Sequence, residues 1–310
     1  MKILKNAVDE YITMRRGLGY KLKYESKALS DFVAFLEREG SSHITTKLAI
    51  SWAIIPKNVQ RNWWAKRLSM VRNFAKYMSA INPETEIPPL DLLPCRYQRP
   101  TPHIFTNDEV VQILDAAKNL PPITGLRRWT YYYFFGLLSV TGLRLSEAIN
   151  LDCKDVDLCQ NILSIRDTKF NKSRLVPIHT STSNKLKKYT QRRDTFLNKR
   201  SRNSFFVSEN GKPLKVPTVL WTFRKIFKQL DLKSISGSTG PRSHSFRHTF
   251  TVETLLNWYQ SGMDVEQCMP RLSTFLGHTC VTNTYWYLSA VPELLALTTA
   301  LLEKREEELS

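Results

Sequence analysis

Six side chains of types that act on phosphate esters recur between residues 144 and 287, each in a short polar segment beside apolar stretches. Arginine and lysine bind anionic oxygens, histidine exchanges protons near neutral pH, and a tyrosine phenol can attack phosphorus. The segments TGLRLSEA, TKFNKSR, HSFRH, LGH and NTYWYL supply them as Arg144, Lys169, His244, Arg247, His278 and Tyr287. Each segment alone is also compatible with an ordinary surface or core residue.

Together these residue types fit the cleavage of a phosphodiester bond. That reaction needs a nucleophile, a proton donor for the leaving oxygen, and cations beside the non-bridging oxygens. Arg144 and Arg247 can each donate a planar pair of hydrogen bonds to a phosphate, and His244 and His278 can bind the same phosphate or move protons. Spacing within NTYWYL leaves both Tyr285 and Tyr287 open as the nucleophile.

A second histidine, His248, raises the alternatives of a packed core pair or a metal pair with His244. No Cys, Asp or Glu triplet lies nearby in the sequence, so we expect no metal site. With this much fixed positive charge the reaction would require no divalent ion, and we expect no cofactor.

The overall charge points to a polyanionic partner. The 310 residues carry a formal charge of +17 and a pI near 9.7, which is typical of nucleic-acid-binding proteins, although some proteins are basic only for solubility. We expect no signal peptide and no membrane span, because the first residues are charged and the longest apolar run covers only 131–140. Five cysteines without a C-x-x-C pair fit a reducing cytoplasm.

Proline divides the chain. Six of the 15 prolines lie in 83–102, which predicts a linker at 83–103 between a domain at 1–82 and a domain at 104–310. The first domain has helical periodicity throughout. Its segment 57–78 carries six basic and no acidic residues beside two tryptophans, which favours a phosphate-binding face over a merely solvated one.

The second domain is predicted to be mainly helical with a small β-hairpin. Thr106 and Glu109 form a capping box before an apolar run, and helix continues through 125–140. Residues 161–179 change to an alternating pattern on both sides of the turn KFNKS, and helices return from about 214. The final apolar helix, beginning near Pro292, suits either its own domain or a neighbouring protomer.

In order and spacing, the motifs resemble the tyrosine recombinase (phage integrase) family. The resemblance covers the whole second domain and extends to GLGYKLKYESKALSDFVAFL and RLSMVRNFAKYM in the first. It implies a helical core-binding domain joined to an α+β catalytic domain. Two departures are a longer stretch between Arg247 and His278 and Phe246 where leucine is common, which should affect packing alone.

The resemblance assigns roles to individual residues. The family's nucleophile is the ninth residue after the Leu-Gly-His histidine, with threonine at the sixth, which selects Tyr287 and Thr284 and leaves Tyr285 as a packing residue. Lys169 would protonate the leaving hydroxyl, and Glu147 would support the arginine rather than react.

The implied function is site-specific recombination in the cytoplasm, at the nucleoid, through a 3′-phosphotyrosyl intermediate and a Holliday junction, without metal or ATP. The alternatives are DNA relaxation by a type IB topoisomerase-like enzyme and a non-catalytic architectural protein. The partners would be double-stranded DNA and three further protomers, in a tetramer joined by the C-terminal helix. We expect no arm-site-binding domain. The expected DNA contacts are Lys21, Lys23, Lys27, Lys66, Arg67, Arg72, Lys172 and Arg174.

Overall fold

A computed structural model describes residues 2–20, 22–93, 101–166, 173–198, 203–232, 242–296 and 299. The chain divides into two compact units, Met1–Arg99 and Pro100–Ser310. The domain limits predicted from the prolines stay a prediction, and each unit is described by itself.

The described part of the first unit is helical, with α1 at Lys2–Gly17, α2 at Lys23–Arg38, α3 at Thr46–Ala53 and α4 at Arg61–Met78. Apolar residues at helical spacing place one face of each helix in a shared core. Phe32 packs edge-on against Trp52, and Tyr11 packs against Phe74. This core belongs to the first unit alone.

Part of the predicted linker lies against this unit. The amide of Glu86 donates to the carbonyl of Ile44 at 2.8 Å, and the Glu86 carboxylate accepts from the amide of Thr46 at 2.7 Å. Thr85 is buried and Leu93 packs on the core. Residues 83–93 are therefore attached to the first unit.

In the second unit, α5 spans Asn107–Lys118 and α6 spans Arg127–Thr141. The predicted capping box is confirmed: Thr106 Oγ1 accepts from the Glu109 amide and Glu109 accepts from the Thr106 amide. The apolar run at 131–140 lies within α6, whose Phe134 and Phe135 are fully buried. Both helices contribute buried residues to the larger core.

A small antiparallel sheet follows the short helix α7, Leu145–Ile149. Its strands are β1 (Val156–Asp157), β2 (Ile162–Ile165) and β3 (Arg174–Pro177), in the order β1-β2-β3. The predicted hairpin is β2–β3, in which Leu163 faces Val176 and Ile165 faces Arg174. Strand β1 was not predicted. The hairpin tip, 167–172, lies outside the described residues.

The remaining helices are α8 (Thr180–Phe196), α9 (Val216–Gln229), α10 (Ser245–Gln260), α11 (Val265–Leu276) and α12 (Thr282–Ala290). Helices α10, α11 and α12 share a smaller apolar cluster, which includes Tyr287 and Leu294. This arrangement confirms the predicted fold class, mainly helical with a small sheet. Among the described residues, no helix is long and apolar enough to cross a membrane.

Candidate active site

Arg144 stands between two helices. Gly142 ends α6 in the left-handed conformation, with φ of +58°, and Arg144 is the N-cap of α7. Its amide donates to Glu147 Oε2 at 3.0 Å and its Nη1 donates to Glu147 Oε1 at 2.7 Å. Arg144 is therefore fixed through both its backbone and its side chain.

Glu147 accepts hydrogen bonds from two arginines. In addition to the hydrogen bonds from Arg144, Glu147 Oε1 accepts from Arg174 Nη1 at 3.0 Å, and Glu147 Oε2 accepts from Arg174 Nη2 at 2.8 Å. Burial by itself would raise the pKa of Glu147, but the hydrogen bonds and charge of Arg174, together with Arg144, outweigh burial and hold the pKa at about 2. The carboxylate stays ionised and anchors both arginines.

Arg174, one of the expected DNA contacts, is held inside the site, and its contact with DNA stays a prediction. Its side chain is only 10% exposed, and its Nε donates to the carbonyl of Phe275 at 2.8 Å while both terminal nitrogens bind Glu147. Arg174 thus connects β3 to α7 and to the end of α11. Its place is in the scaffold of the site.

Arg247 is almost fully buried, at 1% exposure. Its Nη1 donates to the carbonyl of Gly142 at 2.9 Å and its Nη2 donates to the carbonyl of Leu276 at 2.6 Å. Burial lowers the pKa of Arg247 to about 10, and the neighbouring charge of Arg144 acts in the same direction. A phosphate arriving between two arginines would relieve their mutual repulsion.

The end of α11 brings the site together. Gly277 terminates the helix with φ of +68°, and its carbonyl accepts from Nη2 of Arg144 at 2.7 Å. The neighbouring carbonyl of Leu276 is the one bound by Arg247. The next residue is His278. Three consecutive residues, 276–278, therefore bind Arg247, bind Arg144 and supply the histidine.

Helix α12 supplies two hydroxyl groups to two histidines. Thr284 Oγ1 lies 2.7 Å from His278 Nδ1, and Tyr287 Oη lies 2.8 Å from His248 Nδ1. Residues 284 and 287 are three apart and so share one face of the helix. Tyr287 is 3% exposed. Tyr285, which was expected to be a packing residue, is 40% exposed.

His244 is exposed at the N-cap of α10, and its ring meets the ring of His248 edge-on at 4.8 Å between centroids. Lys169 and Lys172 lie outside the described residues, as do Lys21 and the side chain of Lys23. Their predicted roles stay predictions.

Of the basic residues on the first unit, Lys27 and Lys66 are exposed. Arg67 instead lies 3.6 Å from the centre of the Trp52 ring and donates to the Trp52 carbonyl at 2.9 Å, so the structure places it within its own unit rather than as a free DNA contact. Arg72 is half-buried and donates to the carbonyl of Pro88 at 2.8 Å. For the exposed Lys27 and Lys66, contact with DNA phosphates stays a prediction.

Sequence reasoning missed the contact between His248 and Tyr287. It weighed His248 only as a partner of His244. His248 follows Arg247 directly on α10. Because consecutive helical residues point in different directions, this position indicated that His248 faces a different element from Arg247. Across the described ranges, no group of three His, Cys, Asp or Glu side chains is placed to hold a metal ion. The expectation of a metal-independent reaction remains a prediction.

Comparison with known proteins shows clear relatives. The model of the phage integrase family matches residues 103–293. A putative integrase/recombinase, y4rB, of Sinorhizobium fredii is 45% identical over 99% of this chain and 99% of its own length. The tyrosine recombinase XerD of Staphylococcus saprophyticus is 30% identical over 72% of this chain and 70% of its own length.

Solved structures share the fold at low sequence identity. The Tn1549 transposon integrase in complex with transposon right-end DNA has a TM-score of 0.66 at 16% identity and covers 97% of this chain and 98% of that one. The XerH recombinase in its post-cleavage complex with difH DNA has a TM-score of 0.66 at 17% identity and covers 90% of this chain and 78% of that one.

Proposed function

The chain belongs to the phage integrase family and is a site-specific tyrosine recombinase that acts on DNA, and from this premise we propose that Tyr287 is its nucleophile. The observation that supports the assignment most directly is the buried phenol of Tyr287, hydrogen-bonded on the same face of α12 as Thr284, whose partner is His278. Tyr285, by contrast, is 40% exposed, whereas Tyr287 is 3% exposed.

In the proposed reaction, Tyr287 Oη attacks a phosphate of one DNA strand. The new O–P bond forms a 3′-phosphotyrosyl link, the bond from phosphorus to the 5′ oxygen breaks, and that oxygen leaves as a hydroxyl after receiving a proton. The energy of the phosphodiester bond is kept in the covalent link, so rejoining needs no ATP. A 5′ hydroxyl from the other DNA then reverses the step, and two such exchanges pass through a Holliday junction.

Arg144 and Arg247 bind the non-bridging oxygens in this proposal. In the structure Arg247 donates to the carbonyl of Leu276 and Arg144 donates to the carbonyl of Gly277. A neutral carbonyl is a weaker acceptor than a phosphate. Glu147 keeps Arg144 in position through the hydrogen bonds described above. Because the cations stand in place before the charge develops, they lower the barrier with little reorganisation.

Lys169 is proposed as the donor of the proton to the leaving 5′ oxygen, and His244 and His278 as further phosphate ligands. Lys27 and Lys66, both in the first unit, would contact the DNA backbone. Such phosphate contacts position the duplex without reading its sequence. These contacts make the binding salt-dependent.

The proposed partner is a double-stranded recombination site, and the proposed assembly is a tetramer. A lambda integrase tetramer bound to a Holliday junction has a TM-score of 0.60 to this chain at 18% identity. Leu294, at the start of the C-terminal segment, is buried with Tyr287 in its own unit. The docking segment would therefore begin beyond it. An enzyme that acts on chromosomal DNA is proposed to work in the cytoplasm, at the nucleoid.

Covalent trapping tests this proposal. Purified protein is incubated in EDTA with supercoiled plasmid that carries the genomic segments on both sides of its own coding sequence, and detergent then stops the reaction. We expect protein–DNA adducts from the wild type and from Tyr285→Phe, and none from Tyr287→Phe. Loss of adducts in Tyr285→Phe alone would overturn the assignment of the nucleophile.

A further inference from the structure

We propose that His248 accepts the phenolic proton of Tyr287 as that residue attacks DNA. The two side chains are hydrogen-bonded to each other, with 2.8 Å between His248 Nδ1 and Tyr287 Oη. The inference rests on the proposed function, because it requires Tyr287 to be the nucleophile. It adds His248 to the groups that touch a reacting atom.

The geometry selects His248 over the other two histidines of the site. His278 directs its Nδ1 to Thr284 Oγ1 at 2.7 Å. His244 is exposed at the N-cap of α10, one turn before His248, and meets its ring edge-on. Helix α10 thus directs Arg247 towards carbonyls 142 and 276, and the next residue towards α12.

The chemistry requires an acceptor at this position. A phenol ionises near pH 10, so about one in a thousand is ionised at pH 7. With Tyr287 3% exposed, the nearby imidazole is better placed than bulk water to take the proton. A neutral imidazole with a pKa near 6.5 is well matched to this task.

The step balances in both directions. During cleavage the proton leaves Tyr287 Oη for His248 Nδ1, the oxygen forms its bond to phosphorus, and the 5′ oxygen departs with a proton from the general acid. During rejoining the 5′ oxygen attacks phosphorus and loses its proton, while Tyr287 Oη leaves and recovers its proton from His248. No oxidant, metal or nucleotide enters the balance.

The charged and titratable surroundings of the pair include His244 on the same helix as His248 and the guanidinium of Arg247. Arg247 and Tyr287 interact electrostatically, and a positive charge near the phenol favours the phenolate. The proton transfer therefore places the phenolate beside a fixed cation. The positive charge formed on His248 is moderated by the negative phosphate.

Substitution by asparagine separates proton acceptance from hydrogen bonding. The Oδ1 of Asn in His248→Asn lies near the place of Nδ1 and can accept a hydrogen bond, but it cannot take a proton at neutral pH. The matched control is His179→Asn, which makes the same change at the exposed N-cap of α8, where asparagine also caps well. The substrate is a nicked duplex that contains the cleavage position mapped with wild-type adducts.

We expect adduct formation at pH 7 to slow about 10²-fold or more in His248→Asn and to stay unchanged in His179→Asn. Between pH 7 and 9, the rate of His248→Asn should rise about tenfold per pH unit, since it depends on the ionised phenol, while the wild-type rate rises far less. The defect should persist on a 5′-bridging phosphorothiolate, whose leaving sulfur needs no proton. A His248→Asn rate equal to wild type, or a defect that does not change with pH, would overturn the inference and leave Tyr287 as the nucleophile.

A measurement without DNA keeps the two proposals apart. Nitrogen-15 spectra of the imidazole at pH 8 report which ring nitrogen of His248 carries the proton, with Tyr287→Phe as the assignment control. We expect hydrogen on Nε2, which leaves Nδ1 as the acceptor. Hydrogen on Nδ1 would overturn the inference about His248, whatever the adduct assay gives. Failure of every DNA to yield adducts would count against the proposed function instead.

Discussion

Replacing Glu147 by glutamine should destabilise the second unit by about 3 kcal/mol at pH 7. The pKa of Glu147 is about 2, against an ordinary value of 4.5. The difference corresponds to about 3 kcal/mol, because a tenfold change in an equilibrium constant is worth about 1.4 kcal/mol. The side chain is 5% exposed, so solvent screens this interaction little. In Glu147→Gln, Arg174 stays buried without its anion.

The effect should depend on pH in a defined direction. The folded-state pKa lies below the unfolded value, so the stabilisation is fully present above about pH 4.5 and is lost as pH falls towards 2. The difference in the free energy of unfolding between wild type and Glu147→Gln should therefore shrink across this window. At pH 7 it should be at its maximum.

The assay is urea denaturation of the full chain labelled with 5-fluorotryptophan and followed by fluorine NMR. The signal of Trp258, on α10, reports the second unit, and the signal of Trp52, on α3, reports the first. The matched control is Glu253→Gln in α10, because burial raises the pKa of Glu253. There the wild type should gain stability relative to the variant as pH falls.

Two results would refute the reasoning about Glu147. One is a loss of stability that stays constant from pH 7 to pH 3, which would indicate a packing defect instead of a lost charge interaction. The other is an equal effect on the Trp52 signal, which would place the damage outside the second unit.

Two further predictions concern Gly142 and Thr284. Gly142→Ala should destabilise the second unit by about 2 kcal/mol in urea denaturation, because φ is +58° and the new Cβ would lie 2.7 Å from Phe250 Cδ1. Gly17→Ala, which meets no atom within 4 Å, should not destabilise the first unit, and equal losses would contradict the argument. Thr284→Val should slow adduct formation about tenfold by removing the hydroxyl partner of His278, while Thr284→Ser keeps the rate. A rate that follows side-chain volume and not the hydroxyl would show that packing is responsible.

Local patterns predicted the elements whose causes are local. The capping box at Thr106 and Glu109 and the apolar face of α6 depend on residues three or four apart, which the sequence displays directly. The alternation around KFNKS likewise predicted the pairing of β2 with β3. Helix α8 was not predicted, because its mostly polar sequence gives a weak apolar periodicity.

Contacts between distant segments could not be predicted in the same way. Arg174 was expected among the DNA contacts, and no pattern in the sequence indicated its partners Glu147 and Phe275, which lie 27 and 101 residues away. The contact of His248 with Tyr287 joins residues 39 apart on two helices. The choice of Tyr287 over Tyr285 came from a resemblance, and the exposure of Tyr285 was not foreseen.

The turn at Gly277 restricts how this site can vary over evolutionary time. A Cβ at 277 would lie 2.6 Å from Arg174 Nη1, in a backbone conformation that other residues rarely adopt. Arg174 cannot withdraw, because both of its terminal nitrogens hold Glu147. Positions 147, 174 and 277 should therefore covary, so that a substitution at any one is tolerated only with matching changes at the others.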